Sequence, residues 1–283
     1  MIVDFHTHVF SPWTREHRRE LLATEPYFGR LYQPPAARMA SHGELLAAME
    51  ESRVDQSIML GFGWRSPEVC ARENDYLLEA AAHSDGRLIP FCTVASAPRD
   101  NDEAEMRRCR AAGARGMGEI MPDAHDWGPT WQEAMAWLLR AAQAQGLIAL
   151  VHSSEPVGHD YAGKGTVVPG RLYRLLEGLE GQALVLAHLG GGLPFYAHMP
   201  EVRERCETTY FDTAALPFLY RPAALGAAVA ALGAGHFLFG SDYPLLPQAR
   251  TLRYIDESGL DDGQREAVLG GNASRLLSLV SGL

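Results

Sequence analysis

Six residues scattered over this 283-residue chain carry metal-binding side chains: His6, His8, Glu119, His152, His188 and Asp242. Four imidazoles and two carboxylates are hard-to-borderline donors. Such a set suits one or two divalent ions, zinc first, with manganese or iron also fitting. His6 and His8 lie in Val3-Asp4-Phe5-His6-Thr7-His8. In an extended segment alternate side chains share a face, so these two point the same way, about 7 Å apart along the strand, and can close on one ion. A divalent ion acidifies bound water and polarises a carbonyl oxygen. Asp242 could then carry the proton, and His188 could stabilise a developing oxyanion or orient the water.

Residues so far apart in sequence need a frame that converges them. The chain predicts eight strand–helix units. Strands are expected over 1–8, 54–60, 88–94, 116–120, 147–152, 183–188, 209–213 and 237–242. The helices between them include 44–51, 67–83, 101–112, 130–145, 168–179, 199–205 and 222–232. Ser66-Pro67 and the Gly113 and Gly146 stops punctuate them as caps should. Leu147-Ile148-Ala149-Leu150-Val151 is continuously apolar, as a strand buried on both faces is. No two-residue hairpin joins the strands, so they are parallel, and eight parallel strands close into a (β/α)8 TIM barrel forming a single domain. In that barrel the carboxyl ends of the strands share one mouth. His6 and His8, Glu119, His152, His188 and Asp242 all sit at such ends. Two segments lie outside the rhythm. A long excursion over 9–42, broken by Pro12, Pro26, Pro34 and Pro35, is either a lid or a packed appendage. A helical tail occupies 247–283.

Composition excludes several classes. Lys and Arg number 25 against 35 Asp and Glu, a formal charge of −10, which argues against a nucleic-acid or anionic-membrane partner. Cys70, Cys92, Cys109 and Cys206 have no CxxC spacing, so neither a disulfide framework nor a thiolate site is expected. Asp4 interrupts the apolar start, which reads as no signal peptide, and cytoplasmic location is the default expectation. The uncharged stretch 222–241 reads as helix, turn and strand, not a membrane span. The aromatic-rich excursion and the tail offer apolar surface for a homodimer.

His6-x-His8, the strand-ending His152 and His188, and Gly240-Ser241-Asp242-Tyr243-Pro244 together resemble the amidohydrolase superfamily, and more narrowly its "amidohydrolase 2" family of metal-dependent hydrolases and decarboxylases. Gly271-Asn272-Ala273-Ser274-Arg275-Leu276-Leu277 resembles the closing helix of that family. The resemblance covers nearly the whole chain. It implies the same barrel, with His6, His8, His152 and Asp242 on the metal and His188 as a second-metal ligand or catalytic histidine. Gly118-Glu119-Ile120 is similar instead to the strand-4 Gly-Glu of TatD-type hydrolases, where the glutamate bridges two metals. Glu119 is then a bridging or direct ligand, or a partner that orients a ligating histidine.

Substrate contacts are sought in the loops. After the fifth strand, 153–165 offers His159, Tyr161 and Lys164, and Arg65 after the second strand could pair with a substrate carboxylate. Gly190-Gly191-Gly192 would let a ligand or backbone approach His188. The first functional reading is a metal-dependent hydrolase cleaving an amide, ester or lactone of a small molecule. The alternative is a metal-dependent decarboxylase of an aromatic or unsaturated acid. A cation near the metal favours the decarboxylase and a two-metal site the hydrolase. A nuclease is disfavoured by charge, and a metal-stapled scaffold by the completeness of the ligand set.

Overall fold

The strands pair in the order in which the sequence presents them. A computed structural model describes residues 1–96, 99–125, 127–179 and 181–280. In it β1 (Val3–His8), β2 (Gln56–Leu60), β3 (Leu88–Cys92), β4 (Gly116–Ile120), β5 (Ile148–Val151), β6 (Leu184–Leu186), β7 (Thr209–Asp212) and β8 (Phe237–Leu238) form one eight-stranded sheet in sequential order. Every adjacent pair is parallel. The segment after β8 returns to β1: Phe5 N donates to Phe239 O at 2.7 Å and His8 N to Tyr243 O at 2.6 Å. The chain is a single-domain (β/α)8 barrel.

Two cores follow from the pleat. Val3 and Phe5 with Ile58, Leu60, Phe91, Ile148, Leu150, Val185 and Leu238 fill the bore, whose lower end is plugged by Ala273, Leu276 and Val280 of the tail. Outward residues such as Met59, Met117, Leu184 and Phe211 pack under the helices. Two ladders slip, β1 against β2 between Asp4 and Thr7, and β4 against β5 between Met117 and Ile120. Such irregularities re-aim side chains. Val3 and Phe5 fill the bore, yet the even-numbered His6 and His8 close on the mouth, and Glu119 lies inside the second slip.

The excursion is folded rather than a bare loop. It holds α1 (Pro12–Glu16), α2 (Arg18–Thr24) and α3 (Pro26–Tyr32), and α4 (His42–Ser52) follows with a Ser41–Glu44 capping box. Prolines that looked like breakers occupy first-turn positions of α1 and α3, where the missing N–H costs nothing. Phe10, Leu21, Tyr27, Phe28, Phe62 and Trp64 form its own apolar cluster. Two buried glutamates fasten it to the barrel. Glu73, on α5 (Pro67–Ala82), accepts from Ser11 N at 3.1 Å, Ser11 Oγ at 2.5 Å and Thr14 Oγ1 at 2.6 Å. Glu25 accepts from Arg65 N at 2.7 Å and Ser66 N at 3.1 Å.

Some expected boundaries contract. The sixth and eighth strands stop after three and two residues because the chain turns sharply to present His188 and Asp242. The helix expected over 168–179 spans only Pro169–Leu175. Helix α6 (Arg99–Ala111) agrees closely with expectation. The tail divides into Gln248–Asp256, Asp262–Glu266 and Asn272–Leu279 helices, and the last three residues of the expected tail lie outside the described residues. Among the described residues no helix is long and apolar enough to cross a membrane.

Candidate metal centre and cavity

The barrel brings all six expected metal-site residues to one mouth. His6 Nε2 and His8 Nε2 lie 3.2 Å apart. Glu119 Oε2 is 3.7 Å from the first and 3.4 Å from the second, and Asp242 Oδ1 is 3.6 and 3.8 Å from them. Ligands about 2.1 Å from a tetrahedral ion stand about 3.4 Å from one another. The two imidazole nitrogens therefore stand at about that spacing from each other and from one oxygen of each carboxylate. A second group, Glu119, His152 and His188, shares the glutamate. Here Glu119 Oε1 lies 2.8 Å from His152 Nδ1, a hydrogen-bond distance, and 3.4 Å from His188 Nε2. The other ring nitrogen of His152 faces Gly163 O at 3.0 Å. His152 thus stands beside the first group, linked to it through Glu119.

The orientation of His6 comes from Asp212, the polar end of β7. His6 Nδ1 is 2.8 Å from Asp212 Oδ2. A carboxylate oxygen accepts, so Nδ1 carries a proton toward Asp212 and Nε2 is the nitrogen that faces the cluster. The other oxygen of Asp212 accepts from His188 N at 2.8 Å and Ala214 N at 3.0 Å. His188 and Asp242 both adopt left-handed backbone, φ 55° and 65°. For non-glycine residues this costs about 1–2 kcal/mol. Asp212 holds the first; the second is held by Asp242 N donating to His6 O at 2.9 Å. Asp4, fully buried, accepts from Ser241 N and Oγ at 2.8 and 2.6 Å and so anchors the turn that carries Asp242. Gly240 lets that turn pass β1, since a Cβ there would sit 2.8 Å from His6 Cβ. The Gly190–Gly192 run admits backbone, not ligand: a Cβ on Gly191, φ 60°, would meet Ser154 O at 2.1 Å.

Charge follows from this packing. Burial pulls Glu119 upward, but the neighbouring His152 and His6 hold its carboxyl well below the usual range. Burial pulls His6 downward, and the charges of Asp212 and Glu119 reverse that and raise it strongly. His188 is also opposed by burial, and the Glu119 hydrogen bond and charge push it up to about 9. An ionised, acceptor-only glutamate among imidazoles is the donor chemistry a divalent ion uses.

Above the cluster opens a cavity of about 520 Å³. Its floor includes His8, Glu119, His152, His188 and Asp242, and its walls include Tyr27, Tyr32, Phe62, Tyr161 and Phe218. His159 and Tyr161 line it as expected, with the Tyr161 hydroxyl donating to Glu155 Oε2 at 3.1 Å. The other two expected substrate contacts are elsewhere. Lys164 turns back on its own loop, its Nζ donating to Val157, Gly158 and His159 carbonyls at 3.1–3.4 Å, and does not line the cavity. Arg65 is exposed, its backbone N–H fixed by Glu25, and it does not line the cavity either. Among the described residues Arg38, from the excursion, is the lysine or arginine that does. It lies over the Tyr243 ring at 5.3 Å and 3.8 Å from Glu44 Oε1.

The amidohydrolase family profile matches residues 3–279. The chain belongs to the amidohydrolase family. A curated family relative, 6-methylsalicylic acid decarboxylase from Penicillium expansum, is 30% identical over 128 residues; the match spans 38% of this chain and 39% of that protein's length. Among solved structures, 5-carboxyvanillate decarboxylase from Sphingomonas paucimobilis superposes with a TM-score of 0.77 at 19% identity over 98% of both chains. A dihydroxybenzoic acid decarboxylase from Polaromonas, solved with bound manganese and 2-nitroresorcinol, gives a TM-score of 0.71 at 16% identity over 98% of this chain and 97% of that one. The amidohydrolase barrel here thus carries a His/Glu/Asp cluster of the kind that binds a divalent metal.

Proposed function

We propose that the protein is a metal-dependent decarboxylase of a small hydroxylated aromatic acid. The observation that carries this reading is the cavity itself, an aromatic box with one arginine on its wall and a donor cluster for an ion on its floor. A flat ring fills such a box, whose lining is mostly aromatic and apolar. The decarboxylases named above support the same choice.

His6, His8, Glu119 and Asp242 would hold the ion, zinc or manganese, with His152 and His188 beside Glu119. When bound, the ion would supply Lewis acidity toward the oxygens of the substrate. Arg38 would draw the carboxylate in. Loss of CO2 replaces a carbon–carbon bond with a carbon–hydrogen bond, so the enzyme must deliver one proton to the ring carbon. The Asp242 carboxyl, 13% exposed at the cavity floor, is placed to do so and to recover its proton from solvent. His188 and His152, joined through Glu119, would balance the charge left on the ring as neutral CO2 departs.

A second reading rests on Glu119. Its two oxygens face two donor groups, and an ion in each would make a hydrolytic pair. The deciding experiment incubates manganese- or zinc-loaded protein with a panel of methyl-, hydroxy- and carboxy-substituted salicylates. CO2 and the decarboxylated phenol are measured alongside opening of an aromatic lactone. Phenol and CO2 in equal amounts are expected. Lactone opening without CO2 from any acid would replace this reading with hydrolysis.

A further inference from the structure

We propose that the substrate carries an apolar arm on the edge of its ring away from the carboxylate, and that Phe218 and Leu245 at the cavity rim bind this arm. The inference rests on the aromatic-acid reading and deepens it: to the ring and its acid group it adds a third part, for which the cavity has room.

The cavity is larger than a single-ring acid. A hydroxybenzoate has ten non-hydrogen atoms, and at a water's liquid share of about 30 Å³ for each it takes about 300 Å³. The space here is about 520 Å³. The lining is also divided. At the floor, His8, Glu119, His152 and His188 are 2–6% exposed. Phe218 and Leu245 line the same cavity and are 47% and 59% exposed. The cavity therefore runs from a buried polar floor to a rim where two large apolar side chains meet solvent. Leu31, Met121, Leu219 and Pro244 extend the apolar lining. Arg38 and His159 are exposed there too, on other segments of the wall.

Both rim residues are held by the turns that build the mouth. Phe218 lies on the short helix Leu216–Leu219 after β7, and the Arg250 guanidinium stands 4.5 Å from its ring centroid. Leu245 follows Asp242 by three residues, and its N–H donates to Asp242 O at 2.8 Å. An acid gripped at the floor by its carboxylate turns the opposite edge of its ring toward the rim. Large apolar side chains left open at the mouth of a pocket mark a surface that a ligand covers. Two side chains supply far less than the roughly 800 Å² that each partner of a stable protein interface contributes.

The test is titration calorimetry on manganese-loaded protein with 2-hydroxybenzoate and its 4-propyl and 4-pentyl derivatives. A methylene taken out of water strengthens binding by up to about fourfold, so the pentyl acid should bind at least about tenfold more tightly than the parent acid. It should fill one site per chain, from which the parent acid displaces it. The double variant Phe218→Ala with Leu245→Ala should cut this preference about fivefold. Both side chains are exposed, so the melting temperature should stay near that of the wild type. A preference that survives the double variant would overturn the proposal; if a dimer were lost at the same time, the rim would belong to a second copy of the chain. Equal affinity of the wild type for the three acids would overturn it even if the variant failed to fold, as would a pentyl acid that the parent acid does not displace. Binding of none of the acids would overturn the aromatic-acid reading, and this inference with it.

Discussion

Asp212 and His6 are joined by a 2.8 Å hydrogen bond that decides which nitrogen of the imidazole reaches the donor cluster. Partners of this kind typically contribute 10- to 100-fold to metal affinity. Asp212→Asn can present its amide N–H to Nδ1 and favour the opposite tautomer. We expect metal affinity, measured by chelator competition, to fall about 10- to 100-fold while circular dichroism stays native. Unchanged affinity would show that the bond only holds the loop through His188 N and Ala214 N.

Metal stoichiometry separates the two readings of Glu119. His6, His8 and Glu119 converge on one point with Asp242 beside the two histidines, whereas His152 lies between Glu119 Oε1 at 2.8 Å and Gly163 O at 3.0 Å. Elemental analysis of protein purified without chelator should therefore give about one ion per chain. Glu119→Gln should lower its affinity without changing that ceiling. Two ions falling to one in the variant would make Glu119 a bridge and revive hydrolysis.

The barrel was legible because strand endings and glycine stops recur along the chain; β4 falls on 116–120 as read. The six candidate ligands were legible as a group that meets at one mouth because apolar strands ended in the wrong kind of residue for a core. Asp212 carries the same signal, closing Thr209-Tyr210-Phe211, but nothing in its sequence position ties it to His6. Other features had no sequence signal. The slips that turn His6 and Glu119 inward arise in the ladders, and a slip is a property of two strands together. Arg65 and Lys164 carried the right charge on the right loops, but their places were settled by a buried Glu25 and by three loop carbonyls. Arg38 and Tyr27 were hidden because proline-rich sequence read as loop, and a loop gives no prediction of which side chains face inward.

The glutamate staples make the excursion part of the binding wall. Glu25 accepts two backbone N–H groups across the junction between α3 and the loop after β2. Each bond to a charged group contributes about 1.5–3 kcal/mol, so Glu25→Ala should cost about 3 kcal/mol in urea unfolding. The variant should also be cut faster by protease within 9–42, and its KM should rise more than its kcat falls, because Tyr27 lies two residues further on. A loss of stability without any change in KM would detach the excursion from substrate binding.

Asp102 gives a pH dependence far from the metal centre. It lies in the first turn of α6, is 3% exposed, and its Oδ2 has no protein partner among the described residues. Burial pushes its carboxyl up to about 6, only partly offset by the N–H of Ser96. The folded chain therefore binds this proton more tightly than the unfolded chain. Its contribution is fully present below about pH 4 and is lost as pH rises through about 6. Asp102→Asn carries no charge to bury. The variant should gain on wild type as pH rises from 4.5 to 7, by on the order of 2 kcal/mol in paired urea titrations. A variant that instead lost ground over that range would mean that the ionised carboxylate is stabilised where it lies, by the first-turn N–H groups of α6.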